Sequence, residues 1–240
     1  MDNSAALLKE LEDLKKDKMS LLKIISHDIR APFNRIFAFI QLMQFDGDNL
    51  TDEQRIYIDS MYREVMGGLE MIRNLNGMRE IDRGDFACKI AAIEVVGLIQ
   101  KSIKNYEELL RIKKIAISFN KSEESIKVLA DEFYFIRIID NLISNLVKYT
   151  FEGHKAIIEL EAQEAALCIR FTSEGEMISP TENEMLFTRF GKLTARPTAG
   201  ESSTGLGLYL SKHYADSMQG ELSLIGNYPV AFELKIPLAV

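Results

Sequence analysis

A histidine set in Ser26-His27-Asp28-Ile29-Arg30-Ala31-Pro32, inside a run of helical periodicity, has the makings of a nitrogen nucleophile. Asp28 can accept a hydrogen bond from one imidazole nitrogen, which fixes the tautomer and leaves the other nitrogen the better nucleophile. Far downstream, Asn141-Leu142-Ile143-Ser144-Asn145-Leu146-Val147-Lys148-Tyr149 spaces Asn141, Asn145 and Lys148 by four and three, so they share one helical face. Amide oxygens and an ammonium on one face suit a hard cation and the phosphates that accompany it. Gly205-Leu206-Gly207 then opens a further helix, ahead of Leu208 and His213. Backbone N–H groups at a helix start form an anion site, and glycine lets a phosphate come close. The pattern Gly-x-Gly is weak alone and gains weight here from the Thr-, Ser-, Ala- and Gly-rich stretch 191–204 before it, which reads as a mobile lid.

These groups need rigid supports. Leu7, Leu11, Leu14, Leu21 and Ile25 alternate spacings of three and four, with Lys18 interrupting, which is the seam of a helix that pairs with another helix. The pattern continues through Ile36, Ile40 and Met43 to the turn residues Asp46-Gly47-Asp48-Asn49. Thr51 and Gln54 form a capping box for a second helix carrying Ile58, Met61, Val65, Leu69 and Ile72, which should end near Glu80, ahead of Asp82-Arg83-Gly84-Asp85. Pro32 should kink the first helix just after His27. Two such helices cannot bury both stripes against each other, so two hairpins in a symmetric four-helix bundle are expected, making a homodimer of a first domain at 1–82.

From residue 86 to 240 the pattern changes. Strands are predicted at 88–93, 115–119, 126–129, 154–162, 166–172, 221–225 and 231–237, and helices at 94–111, 131–150 (capped by Asp131) and 206–218. Strands and helices segregated in this way predict an α+β two-layer sandwich with an antiparallel-rich sheet, with neither Rossmann order nor a P-loop.

Composition narrows the field. With 47% hydrophobic and 27% charged residues over 240 positions, two modest soluble domains are expected. A net charge of −7 argues against nucleic acid or an anionic membrane as partner. No apolar stretch is long enough to span a bilayer, so a cytoplasmic location is expected, with a membrane reached only through a possible upstream sensor segment. Cys88 and Cys168 read as reduced core residues, and His154 and His213 lack partners at metal-ligand spacing.

In this order, the His27 string, the Asn141–Tyr149 string and Gly205-Leu206-Gly207 resemble the catalytic core of a bacterial sensor histidine kinase of two-component signalling. The resemblance implies a HisKA-type dimerisation and phosphoacceptor hairpin followed by a GHKL-type (Bergerat) ATP-binding domain. It implies that His27 takes a phosphoryl group from Mg-ATP, with Asp28 as orienting base, and passes it to an aspartate of a response-regulator receiver domain. Arg30 is equally a bundle-surface residue. Asn145 would ligate Mg²⁺, Asn141 would assist, Lys148 would neutralise phosphate charge and Tyr149 would pack on adenine. Phe187 and Phe190 match the paired aromatics beside the lid, and Arg189 or Lys192 would reach the γ-phosphate, with plain surface charge the equal alternative.

The adenine-binding G box is degenerate. Ser173 stands for its aspartate, Gly175 is kept, and Met177 replaces the second glycine. Trading a charge-assisted hydrogen bond for a neutral one weakens ATP binding by about tenfold. Ala31 replaces the Thr or Asn that positions a water for dephosphorylating the partner, which removes the basis for phosphatase activity. Two rivals follow: a pseudokinase acting as a dimeric phosphotransfer or scaffold protein, and an ATPase of the gyrase or chaperone type.

Overall fold

The computed structural model describes residues 2–45, 49–83, 87–191, 193–198 and 203–239. The chain divides into two compact units, Met1–Phe86 and Ala87–Val240.

The first unit is a hairpin of α1 (Asp2–Phe45) and α2 (Asp52–Arg83). The expected capping box starts α2: Gln54 Nα donates to Thr51 Oγ1 at 3.2 Å, and Thr51 Nα donates to Gln54 Oε1 at 2.9 Å. α2 runs three residues beyond the expected stop at Glu80. Pro32 lies inside α1, which is helical on both sides of it. Asp46, Gly47 and Asp48 of the expected turn fall outside the described residues, as do the side chains of Lys18, Leu21 and Ile25. Phe37 stacks on Tyr62 at 5.6 Å, and the Phe33 ring lies over Gly68, where a β-carbon would come within 2.1 Å of it. These pairs run in opposite directions along the two helices, so the hairpin is antiparallel. Ile40, Ile58, Tyr62, Val65, Ile72 and Met78 form its core, while Leu11, Leu14, Ile36, Phe39, Leu42 and Ile56 stay exposed. One hairpin buries one stripe and leaves another bare.

The second unit is a two-layer sandwich. Its five-stranded sheet has the order β2 (Ala116–Lys121), β4 (Lys155–Ala162), β5 (Ala166–Ser173), β7 (Val230–Pro237), β6 (Glu221–Asn227). β2 pairs with β4 in parallel and every other pair is antiparallel. A second sheet pairs β1 (Ala91–Glu94) with β3 (Lys127–Ala130).

The helical layer contains α3 (Val96–Asn105), α4 (Glu107–Ile112), α5 (Glu132–Tyr149) and α6 (Gly207–Ser217). The helix expected at 94–111 is split. Glu94 ends β1 and caps α3 through Val96 Nα (2.8 Å) and Gly97 Nα (3.0 Å), and Tyr106 interrupts the helix as its hydroxyl donates to the Asp140 carbonyl at 3.0 Å. α5 is the central helix. Asp131 caps it, accepting from Phe133 and Tyr134 Nα, and its second oxygen accepts from Lys89 Nα at 2.7 Å. Phe135, Ile138, Ile139, Leu142, Ile143 and Leu146 of α5 are buried with Leu167, Ile169 and Phe171 of β5. The opposite face of the sheet is polar, crossed by Arg170 bonded to Glu233 (2.9 Å) and Glu161 (3.1 Å). Among the described residues no helix is long and apolar enough to cross a membrane.

Candidate functional site

His27 projects from α1 with its side chain 85% exposed, while its neighbour Ser26 is buried in the hairpin. Adjacent helical positions diverge by about 100°, so burying Ser26 turns His27 outward. Nδ1 of His27 lies 3.1 Å from Asp28 Oδ1. With Nδ1–H donated to the carboxylate, the Nε2 lone pair points into solvent, available to an electrophile.

In the second unit the candidate residues are distributed along α5. From Asn141 to Tyr149 the helix rises about 12 Å, so its ends reach different neighbours. At the upstream end, Asn141 Nδ2 donates to Ser211 Oγ of α6 at 2.9 Å. A β-carbon on Gly207 would come within 2.1 Å of Asn141 Oδ1, so the start of α6 lies directly against α5. Gly205 adopts φ +64°, the left-handed region, and a β-carbon there would meet the Phe190 and Gly191 backbone at 2.6–2.9 Å. Leu206 is buried and acts as an anchor.

At the downstream end α5 is joined to the degenerate G box. Thr150 bridges Gly175, Phe151 Nα donates to the Glu174 carbonyl at 3.0 Å, and a β-carbon on Gly175 would lie 2.0 Å from the Tyr149 carbonyl oxygen. Gly175 is therefore required for backbone packing irrespective of any ligand. Ser173 is buried at the end of β5, whereas Met177 is 61% exposed and does not bury itself in the fold. Asn145 and Tyr149 are half-buried and Lys148 is buried.

The structure thus joins Asn141 to Gly207, and Tyr149 to Gly175. Arg189 is held against the first turn of α6: its Nε donates to the Tyr209 hydroxyl at 3.1 Å and its guanidinium lies 5.2 Å from that ring. Lys192 lies outside the described residues, as does 199–202 of the lid-like stretch.

Sequence reasoning missed several supporting groups. Lys113, 3% exposed, donates from Nζ to the carbonyls of Val147 (2.6 Å) and Lys148 (3.1 Å), closing the end of α5. Thr198 donates to the Lys148 carbonyl from Nα (2.9 Å) and to the Thr150 carbonyl from Oγ1 (3.1 Å). Upstream of it, Arg196 Nα donates to Glu176 (3.0 Å), and Thr194 donates to Glu182 from Nα and Oγ1. Ser211, one turn after Gly207, was likewise not marked by any motif.

The Thr194 backbone N–H holds the Glu182 carboxyl below the usual carboxylate range. A depressed carboxylate stabilises its contact above the unfolded-state pKa and loses that contribution as pH falls through the folded-state value. The Thr194 amide should therefore lose protection from hydrogen exchange below about pH 4, taking the ordinary carboxylate value as the upper bound. Glu182→Gln should abolish that pH step; an unchanged step would assign the protection to another group.

Among the described residues no cluster of three or more His, Cys, Asp or Glu could hold a metal ion. Asn145 offers one hard amide oxygen, so phosphate oxygens and water would have to complete the shell of a bound cation. That donor set fits Mg²⁺, which keeps few protein ligands.

Comparison with known proteins gives the families of the two units. The family described as "His Kinase A (phospho-acceptor) domain" matches residues 17–84, and that described as "Histidine kinase-, DNA gyrase B-, and HSP90-like ATPase" matches 130–240. The sensor protein EvgS of Escherichia coli strain K12 is 27% identical over 231 residues, covering 93% of this chain and 19% of EvgS. The sensor histidine kinase YcbM of Bacillus subtilis strain 168 is 24% identical, covering 92% of this chain and 70% of YcbM. This chain thus spans about a fifth of the first curated relatives it matches, at 19% of their length. Among solved structures, full-length ShkA in complex with AMPPNP superimposes with a TM-score of 0.62 at 22% identity, covering 92% of this chain and 46% of that one. At that identity the likeness concerns the fold.

Proposed function

Because this chain belongs to the histidine kinases, with a HisKA hairpin followed by a HATPase_c sandwich, we propose that it transfers the γ-phosphoryl of Mg-ATP to Nε2 of His27. The bond from the γ-phosphorus to the bridging oxygen breaks as the Nε2–phosphorus bond forms, and ADP leaves with the bridging oxygen. The proton stays on Nδ1, hydrogen-bonded to the Asp28 carboxylate that offsets the positive ring. Such a reaction needs positioning and charge neutralisation more than covalent help from the protein. Asn145 would ligate Mg²⁺, which screens the phosphate charge when bound, and Lys148 would share that charge. The first amides of α6 would receive phosphate oxygens, and Tyr149 and Ser173 would line the adenine end. In this reading 1–82 is the dimerisation and phosphoacceptor domain and 86–240 the nucleotide domain.

The observation that supports the reading is the abutment of α5 and α6, with Asn141 beside Gly207 and Ser211 of the α6 helix start. The bare apolar stripe of the hairpin, with Leu14, Phe39, Leu42 and Ile56, supports a homodimer through a four-helix bundle. An aspartate on a separate receiver domain is the proposed next acceptor.

The test is incubation of the chain with γ-labelled ATP and Mg²⁺. An acid-labile, alkali-stable label that chases onto a receiver domain is expected. Absence of label together with no calorimetric binding at millimolar ATP would overturn the reading in favour of a dimeric scaffold.

A further inference from the structure

Asn141 spends both ends of its amide on α6. Nδ2 donates to Ser211 Oγ at 2.9 Å, while Oδ1 fills the space in which a β-carbon on Gly207 would stand, 2.1 Å from that carbon. Gly207 and Ser211 are one turn apart on α6, so a single face of that helix receives the whole amide. Ser211 is 1% exposed, which keeps water from competing for its hydroxyl.

We infer that Asn141 is a positioning residue, a bolt between α5 and α6, and that residue 207 is glycine to admit this bolt. The inference rests on the nucleotide reading above and deepens it. Asn145, the proposed Mg²⁺ ligand, lies one turn along α5 from Asn141, and the amides proposed for phosphate begin at Gly207. The Asn141 amide therefore sets the gap between the two halves of the phosphate site before any nucleotide arrives. A site assembled in advance loses less entropy on binding. Ser211, which no motif marks, becomes part of nucleotide recognition through Asn141.

The bolt and a direct ligand predict opposite coupling. Calorimetric titration of the full chain with AMPPNP and Mg²⁺ would compare Asn141→Ala, Gly207→Ala, Ser211→Ala and the double variants. For the bolt, Ser211→Ala weakens binding roughly fivefold and adds nothing once Asn141 is already alanine, because residues sharing one interaction are non-additive. Gly207→Ala weakens binding by more, on the order of 30-fold, and adding Asn141→Ala restores part of it by vacating the space the new methyl needs.

Unchanged binding in Ser211→Ala, or an Asn141→Ala Gly207→Ala protein worse than either parent, would overturn the inference and make Asn141 a direct ligand. If the unaltered chain binds no AMPPNP, the nucleotide reading fails on its own. The same cycle read as melting temperature without nucleotide then decides the bolt. Partial rescue of Gly207→Ala by Asn141→Ala supports it, and additive losses overturn it.

Discussion

His27→Gln abolishes the acid-labile label while leaving the fold intact. The His27 side chain is 85% exposed and its polar contact is with Asp28, itself 69% exposed. Surface substitutions of this kind change stability by no more than about 0.5 kcal/mol, and glutamine is a good helix former. Loss of label therefore reports chemistry and not unfolding, and circular dichroism with the sedimentation coefficient should match the parent. Asp28→Asn should be slower by roughly 100-fold, the usual scale for losing a positioned proton partner. Asparagine can still accept from Nδ1–H but brings no charge to the imidazole as its ring gains positive character. Label persisting in His27→Gln would move the nucleophile elsewhere. His154, whose Nδ1 lies 3.1 Å from the Glu152 carbonyl, would then be the first residue to replace.

Lys113→Met destabilises the second unit by about 3 kcal/mol, since each hydrogen bond from a charged donor contributes about 1.5–3 kcal/mol. Methionine keeps the length and apolar stem of lysine, so packing is largely retained. What disappears is the ammonium that closes Val147 and Lys148 carbonyls at the end of α5. In a domain of this size the melting temperature should fall by roughly 6–12 °C, measured by thermal denaturation followed at 222 nm. Nucleotide affinity should fall with it, because Lys148 and Tyr149 sit on the turn that Lys113 holds. An unchanged melting temperature would show that water satisfies those carbonyls equally well. Lys113→Arg should not restore the parent, since a planar fork does not fit a pocket shaped for a single nitrogen.

Both predictions use groups that were unequally visible in the sequence. His27, the α5 string and the α6 glycines are local patterns, and so are the Asp131 cap and the Thr51–Gln54 box, which sit where a reader of side-chain types would put them. Lys113 had no such signal: it lies between Ile112 and Lys114 and differs from its neighbour only in where the chain returns. The break at Tyr106 depends on a carbonyl 34 residues away, at Asp140, so periodicity alone read one helix where there are two. The parallel pairing of β2 with β4 is likewise set by tertiary packing, with β3 and α5 intervening. The heptad seam told of a partner for α1 but not which leucines the hairpin itself would cover.

The Phe33 ring seated over Gly68 has a consequence for how the hairpin can move. Sliding α1 by one helical turn would set the ring against Glu64 or Ile72, and neither leaves room for it. The two helices are keyed at this level, one residue after Pro32 and within two turns of His27. A displacement imposed on α1 would therefore be turned at this level into a swing or a twist about a fixed fulcrum, because axial travel is blocked there.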